Sequence, residues 1–236
     1  MTSTRDTVLL DVDGTLADST YHHALAWARA FARFGLTPAL WRAHRAIGMG
    51  GDKLVAVVTD DEVEARIGDD LRNAWEQEYS RILGEVVLLE GASELVLSLH
   101  ERGLRVALAS SGKKRFTDHI IELLDLPEGV LSTVTTSEDA EQSKPAPDIL
   151  GVALRRAGGE RAVLVGDTPY DVASAARMGA PCVVVRSGGF GVQELRDAGA
   201  VLIVDGPRDL ITADWDELCR AEPPLGSDDP QEPLPH

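Results

Sequence analysis

The sequence predicts an α/β fold, a doubly wound parallel sheet core interrupted just after its first strand by an all-helical insert. Three observations carry that expectation. Short apolar runs recur at 8–10, 104–109, 162–165, 182–185 and 201–204, each the length of a buried strand. From Leu88 onward these runs alternate with helix-length segments, which implies parallel strands covered on both faces. Between the first strand and Leu88 the spacing stays helical, with no strand-like run, over roughly 65 residues.

Each element has its own signals. Val8-Leu9-Leu10 reads as a buried strand that ends in Asp11, Asp13, Gly14 and Thr15. Ser19 or Thr20 suits the cap of a helix through Phe34, with Trp27, Phe31 and Phe34 on one core-facing side and Gly35 as the stop. Val63, Ile67, Leu71, Trp75 and Ile82 continue at helical spacing, and Gly68 is expected to divide that segment. A helix over 92–102 stops at Gly103, and the strand over 104–109 ends in Ser110-Ser111-Gly112-Lys113. Next come a helix through Leu124, a short strand over 133–136 and a loop holding Ser143-Lys144-Pro145-Ala146-Pro147-Asp148, in which Pro147 suits a first helical position and Gly158-Gly159 the end. The strand over 162–165 runs into Gly166-Asp167-Thr168-Pro169-Tyr170-Asp171. There Thr168 fits an N-cap, Pro169 the first helical position and Asp171 the acid of a capping box. The run over 201–204 is expected as an edge strand. These boundaries divide the chain into a discontinuous core, 1–17 with 88–221, a helical insert, 18–87, and a proline- and acid-rich disordered tail, 222–236.

At 236 residues and 44% hydrophobic, the chain can bury a full core. Its net charge of −16 argues against nucleic acid or an anionic membrane as the main partner, and an anionic substrate would need local cations. Cys182 and Cys219 show neither a CxxC pair nor zinc spacing and are expected as reduced thiols. Residues 1–6 are polar, and no run approaches a membrane span. A cytoplasmic location is therefore expected.

Four polar clusters follow four strands: Asp11 with Asp13, Ser110 with Ser111, Lys144, and Asp167 with Asp171. Parallel strands gather them at one sheet edge, where open α/β sheets bind ligands. Two carboxylates as close as Asp11 and Asp13 raise one another's pKa unless a cation joins them. Asp-Val-Asp-Gly-Thr, the serine after the second sheet strand, Lys-Pro-Ala-Pro-Asp and Gly-Asp-Thr-Pro-Tyr-Asp, in that order, resemble the four motifs of the haloacid dehalogenase superfamily. The helical insert is similar to the cap of its phosphoglycolate phosphatase and β-phosphoglucomutase branch. The resemblance implies a Rossmann-like core and a Mg²⁺-dependent phosphatase acting on a small phosphorylated metabolite. In that reading Asp11 is the nucleophile and Asp13 the general acid and base, a task that calls for a raised carboxyl pKa. Asp11, the Asp13 backbone carbonyl and Asp167 ligate the metal, with Asp171 as an auxiliary group, while Ser110, the Ser111 N–H and Lys144 hold the phosphoryl oxygens. A dehalogenase is disfavoured, since that branch resembles Asp-x-Tyr-Gly-Thr where this chain keeps Asp13.

The insert leaves alternatives open. His23 falls where the mutases of the branch carry a cap-hinge histidine, yet their cap arginine and lysine positions hold Gly51 and Trp75. Arg45 and Lys53 flank a glycine-rich stretch able to approach the core closely, so both are expected to touch the substrate. Lys53 also lies near the Schiff-base lysine of phosphonoacetaldehyde hydrolases. A catalytically silent phosphometabolite-binding module is the remaining alternative, and a monomer and a homodimer are equally allowed.

Overall fold

The computed structural model describes residues 4–139 and 144–223. The expected tail lies outside the described residues from residue 224 on, as does Ser143. In chain order the elements are β1 (Thr7–Leu10), the helices α1 (Thr20–Arg33), α2 (Leu40–Arg45), α3 (Gly51–Val58), α4 (Asp61–Ile82) and α5 (Ala92–Glu101), then β2 (Arg105–Ala109), α6 (Lys114–Leu124), β3 (Leu131–Thr135), α7 (Asp148–Arg156), β4 (Ala162–Gly166), α8 (Pro169–Met178), β5 (Cys182–Val185), α9 (Val192–Asp197), β6 (Leu202–Val204), α10 (Pro207–Leu210) and α11 (Trp215–Leu218).

The strands form one sheet in the order β3-β2-β1-β4-β5-β6, with every neighbour parallel. β1 is central because its side chains are apolar on both faces. Val8 and Leu10 join one hydrophobic cluster and Leu9 the other, and all three are fully buried. The chain leaves β1 for β2 and β3 on one side and returns to β4, β5 and β6 on the other. The carboxyl end of β1 is thus the topological switch point, where a crevice opens.

Helices α1 to α4 fall between β1 and β2 and enclose their own core, which includes Trp27, Phe31, Leu54, Val55 and Leu71. The two connections to the sheet run side by side. Asp18 N–H donates to the Val87 carbonyl and Leu89 N–H to the Leu16 carbonyl, each at 2.9 Å, so the insert emerges on a short two-stranded stem.

Four local expectations are corrected. Gly68 does not divide its segment: α4 runs unbroken through it. A helical glycine costs only about 1 kcal/mol, and the Glu64 carboxylate lies over Gly68 while bonding Arg72 at 2.8 and 3.0 Å, bracing the turn a side chain would have filled. The break falls earlier, where the Asp60 side chain accepts from Val63 N–H at 2.8 Å as an N-cap. Phe34 sits at the end of α1 and is exposed rather than core-facing. Ser19 occupies the α1 N-cap without capping it, because its hydroxyl goes to Asp13. Pro147 is the N-cap of α7, one position before that expected. Among the described residues no helix is long and apolar enough to cross a membrane.

Candidate active site

The site is built on the end of β1. Asp11 N–H donates to the Val165 carbonyl at 2.9 Å, extending the β1–β4 ladder by one residue and fixing the Asp11 carboxylate at the sheet edge. The chain then turns at Gly14, whose φ is +77°. A Cβ there would lie 2.2 Å from Asp167 Oδ2 and 2.3 Å from Thr20 Oγ1, so both conformation and close approach demand glycine. The turn directs Asp13 toward the helical insert, where its Oδ1 accepts from Ser19 Oγ at 2.7 Å and meets His23 Nε2 at 2.9 Å. His23 is itself buried and stacked on Tyr79, with 3.9 Å between ring centroids.

Across from Asp11, the Lys144 side chain is fully buried, and its Nζ donates to Asp11 Oδ1 at 2.5 Å and to Asp171 Oδ1 at 2.6 Å. The other Asp171 oxygen accepts from Thr168 Oγ1 at 2.7 Å and from the Thr168 N–H at 3.1 Å, closing the capping box of α8. Asp171 is therefore at once the box acid and the anchor of Lys144. Single oxygens of Asp11, Asp167 and Asp171 all lie within 4.8 Å of one another. Asp167 Oδ1 accepts from Thr15 Oγ1 at 3.2 Å, whereas Asp167 Oδ2 is buried with no hydrogen-bond partner among the described residues. An orphaned carboxylate oxygen beside two further carboxylates is the donor set a hard divalent cation takes.

Burial dominates the electrostatics. It raises the Asp11 carboxyl to about 7, with Asp171 adding to the rise and Lys144 opposing it. Asp167 is pushed well above the ordinary range by burial and by the charges of Asp171 and Asp11. Lys144 moves up: burial alone would lower it, but Asp11 and Asp171 together outweigh that cost. Asp13 differs from the expectation of a raised carboxyl. Burial pushes it up, yet the His23 contact and the Ser19 bond prevail and hold it below the usual carboxylate value. The two aspartates of the motif are thus separated electrically, one favouring its proton and the other its charge.

Ser110 is buried at the end of β2. Its Oγ accepts from Gly112 N–H at 2.9 Å and from Thr117 Oγ1 at 3.2 Å, which leaves its own hydrogen to donate. Ser111 and Gly112 line the pocket above Asp11, and Ser111 Oγ has no partner among the described residues. Helices α1, α3 and α4 close the same pocket with Trp27, Leu54 and Trp75. Gly48 lets the insert approach, since a Cβ there would lie 2.7 Å from the Thr168 methyl.

Arg45 and Lys53, expected to touch substrate, are not among the pocket-lining residues. The Arg45 guanidinium forms a two-pronged pair with Glu194 on α9, and its Cζ lies 4.5 Å from the Phe190 ring centre. Lys53 Nζ donates to the Lys144 carbonyl at 3.4 Å. Both cations follow oxygen acceptors on the core rather than turning inward. Sequence reasoning missed Glu194, and it assigned Trp27 to core packing alone although that ring also faces the pocket. Nothing in the spacing of Glu194 marks it, because its partner lies 149 residues away.

The chain is similar to known phosphatases and hydrolases in sequence and fold. The chain is 29% identical over 219 residues to a phosphoglycolate phosphatase of Rhodospirillum rubrum, covering 88% of this chain and 89% of that protein. A phosphoglycolate phosphatase of Pseudomonas fluorescens is 27% identical over 212 residues, 86% of this chain and 78% of the relative. The crystal structure of a hydrolase from Pseudomonas syringae superimposes with a TM-score of 0.82 at 30% identity, covering 88% of this chain and 96% of that one. Residues 5–179, which carry Asp11, Asp13, Ser110, Lys144, Asp167 and Asp171, match the family model of the haloacid dehalogenase-like hydrolases, and the chain belongs to that family.

Proposed function

We propose that the protein is a Mg²⁺-dependent phosphatase that hydrolyses a small phosphate monoester in two displacements at Asp11. One observation supports this above the others: the buried Lys144 ammonium joins Asp11 to Asp171 beside an Asp167 oxygen that has no partner of its own. Asp11, Asp167 and the Asp13 backbone carbonyl would hold the ion, with Asp171 behind them; when bound, it supplies the positive charge that lets carboxylates and a phosphoryl group share one site. The two free, buried thiols, Cys182 and Cys219, suit the cytoplasmic location expected of such an enzyme.

In the first displacement an Asp11 oxygen bonds to phosphorus, the ester P–O bond breaks, and the departing alkoxide takes a proton from Asp13, which must first gain that proton on substrate binding because Ser19 and His23 favour its charged form. In the second, water attacks the phosphorus of the acylated phosphate, gives its proton to Asp13, and releases phosphate and the Asp11 carboxylate. Ser19 and His23, which hold Asp13 ionised, prepare it for this second role. Lys144 neutralises charge on the phosphoryl oxygens, and the Ser110 hydroxyl and the Ser111 N–H donate to them.

The mutase reading has less support. A mutase must grip a second phosphate while its intermediate turns over, and the pocket holds Gly51 and Trp75 where that branch carries cations. A Schiff-base role for Lys53 would need its amine inside the pocket, whereas it bonds the Lys144 carbonyl.

The test is phosphate release from an aryl phosphate in Mg²⁺. Asp11→Asn is expected to lower turnover by on the order of 10³-fold or more while the fold persists by circular dichroism. Wild-type turnover no greater than that of the variant would favour a binding module, and a glucose 1-phosphate arm assayed for isomerised product would expose a mutase.

A further inference from the structure

The Asp167 carboxylate is gripped from two sides by backbone. On one side is Gly14, and on the other is Gly188, in the loop that follows β5. A Cβ at Gly188 would lie 2.3 Å from Asp167 Oδ2 and 2.5 Å from the Asp167 carbonyl oxygen, just as one at Gly14 would lie 2.2 Å from Oδ2. Asp167 Oδ2 accepts no hydrogen bond among the described residues, and Oδ1 accepts one, from Thr15 Oγ1. The direction of the carboxylate is therefore set by that single bond and by how far apart the two glycines are held.

Ser187 ties the two glycines together. Its Oγ donates to the Gly14 carbonyl at 2.5 Å, across 173 residues of sequence. That bond anchors the peptide joining Gly14 to Thr15. Asp13, whose carbonyl is a proposed metal ligand, precedes this peptide, and Thr15, whose hydroxyl holds Asp167, follows it. The same loop also meets the helical insert. The Gly188 carbonyl lies 2.9 Å from His44 Nε2 on α2, and because a carbonyl can only accept, that nitrogen carries the hydrogen. His44 is buried, and its ring stacks on Tyr21 with 4.9 Å between centroids and 3° between planes. Three consecutive links thus run from the insert to the metal site: His44 to Gly188, Gly188 against Asp167, and Ser187 to Gly14.

From these contacts we infer that Ser187 and Gly188 couple closure of the helical insert to metal binding at Asp167, with Ser187 and His44 as the positioning residues at either end of the link. The inference rests on the metal-dependent reading above. Coupling of this kind is reciprocal, so whatever the grip of the insert adds to metal affinity, the metal adds to the grip. Neither Ser187 nor His44 lines the pocket, so their loss falls on metal affinity rather than on contact with substrate.

Metal binding without substrate isolates the claim. Mn²⁺ takes the same oxygen donors as Mg²⁺, and its free concentration is read by electron paramagnetic resonance. Ser187→Ala is expected to raise the Kd for Mn²⁺ by about 3- to 10-fold, and Ser187→Thr, which keeps the hydroxyl, to restore wild-type affinity. His44→Phe keeps a stacking ring and removes the N–H. It is expected to raise the Kd by about 2- to 5-fold. In the wild-type protein Mn²⁺ is expected to slow amide exchange in α2, and to slow it less in His44→Phe. Wild-type affinity in both Ser187→Ala and His44→Phe would overturn the inference, and so would exchange in α2 that ignores Mn²⁺. A lower Tm in chelator with an unchanged Kd marks a merely structural role and overturns it as well. The phosphatase reading survives each of those results, because it stands on turnover of the aryl phosphate. Wild-type binding of Mn²⁺ no tighter than that of Asp167→Asn would also overturn the coupling, and dependence of that turnover on Mg²⁺ then decides whether the phosphatase reading falls with it.

Discussion

Asp11 and Asp13 are two residues apart, yet their surroundings drive their carboxyls in opposite directions. Asp11 has a buried lysine on one side and the charges of Asp167 and Asp171 nearby, and burial takes its pKa to about 7. Asp13 has a hydroxyl and an imidazole, which hold it ionised. The Asp11 shift has a consequence for stability. Because its folded pKa is raised above the unfolded value, the protonated form contributes stability at low pH that is lost as pH rises through about 7. In chelator, Asp11→Asn removes that loss. Relative to wild type it is expected to gain stability progressively from about pH 4 to above pH 7, by a few kcal/mol, on top of a constant offset from the altered Lys144 contact. Urea midpoints measured across that range check the slope, and parallel curves for the two proteins would refute it.

Among the elements, the helical insert is tied to the core on both rims of the pocket. On one rim Arg45 pairs with Glu194, the Tyr170 hydroxyl donates to the Arg45 carbonyl at 2.9 Å, and His44 Nε2 meets the Gly188 carbonyl oxygen at 2.9 Å. On the other, Glu76 of α4 takes both Lys113 and Arg115, and Arg115 also donates to Ser80 at 2.7 Å. The Arg45–Glu194 pair is about one-third exposed on each side, so its net contribution to stability is small, about 1 kcal/mol or less. Since the pair ties α2 to the core at the pocket rim, its loss is expected to act mainly on local opening of the insert. Glu194→Ala is expected to raise KM a few-fold and to speed amide exchange in α2, with global unfolding shifted by no more than about 1 kcal/mol. Unchanged exchange in α2 would show that the other contacts alone hold that rim.

Over the whole molecule, two hydrophobic clusters cover the two faces of the sheet and a third fills the insert. The carboxylates of the candidate site lie at the seam, Asp11 and Asp167 carried there by β1 and β4 from the most buried part of the core. Leu9 is fully buried at the centre of β1. Leu9→Ala is expected to cost about 2–5 kcal/mol of unfolding free energy, read by chemical denaturation. A loss below 1 kcal/mol would mean that the core can collapse around the cavity, contrary to its close packing.

The sequence alone determined the sheet and the four clusters at its edge, because strand runs, turn glycines and the Thr168–Asp171 capping box act over a few residues and leave local marks. It also pointed to the helical insert, since a strand-free stretch is visible as periodicity, although Gly68 does not divide that helix, because Glu64 and Arg72, one turn to either side, pair across it. What only the tertiary structure decided is where long side chains go. Arg45 and Lys53 had the chemistry of substrate ligands, but Glu194 and the Lys144 carbonyl, far away in sequence, take them. Trp27 and Trp75 had the spacing of core residues, and they line the pocket as well as packing in the insert's core. Ser19 and His23 hold the Asp13 carboxyl below its ordinary range, where the sequence led us to expect a raised one. These outcomes depend on partners brought together by folding, and the geometry of such pairs is not written at either residue.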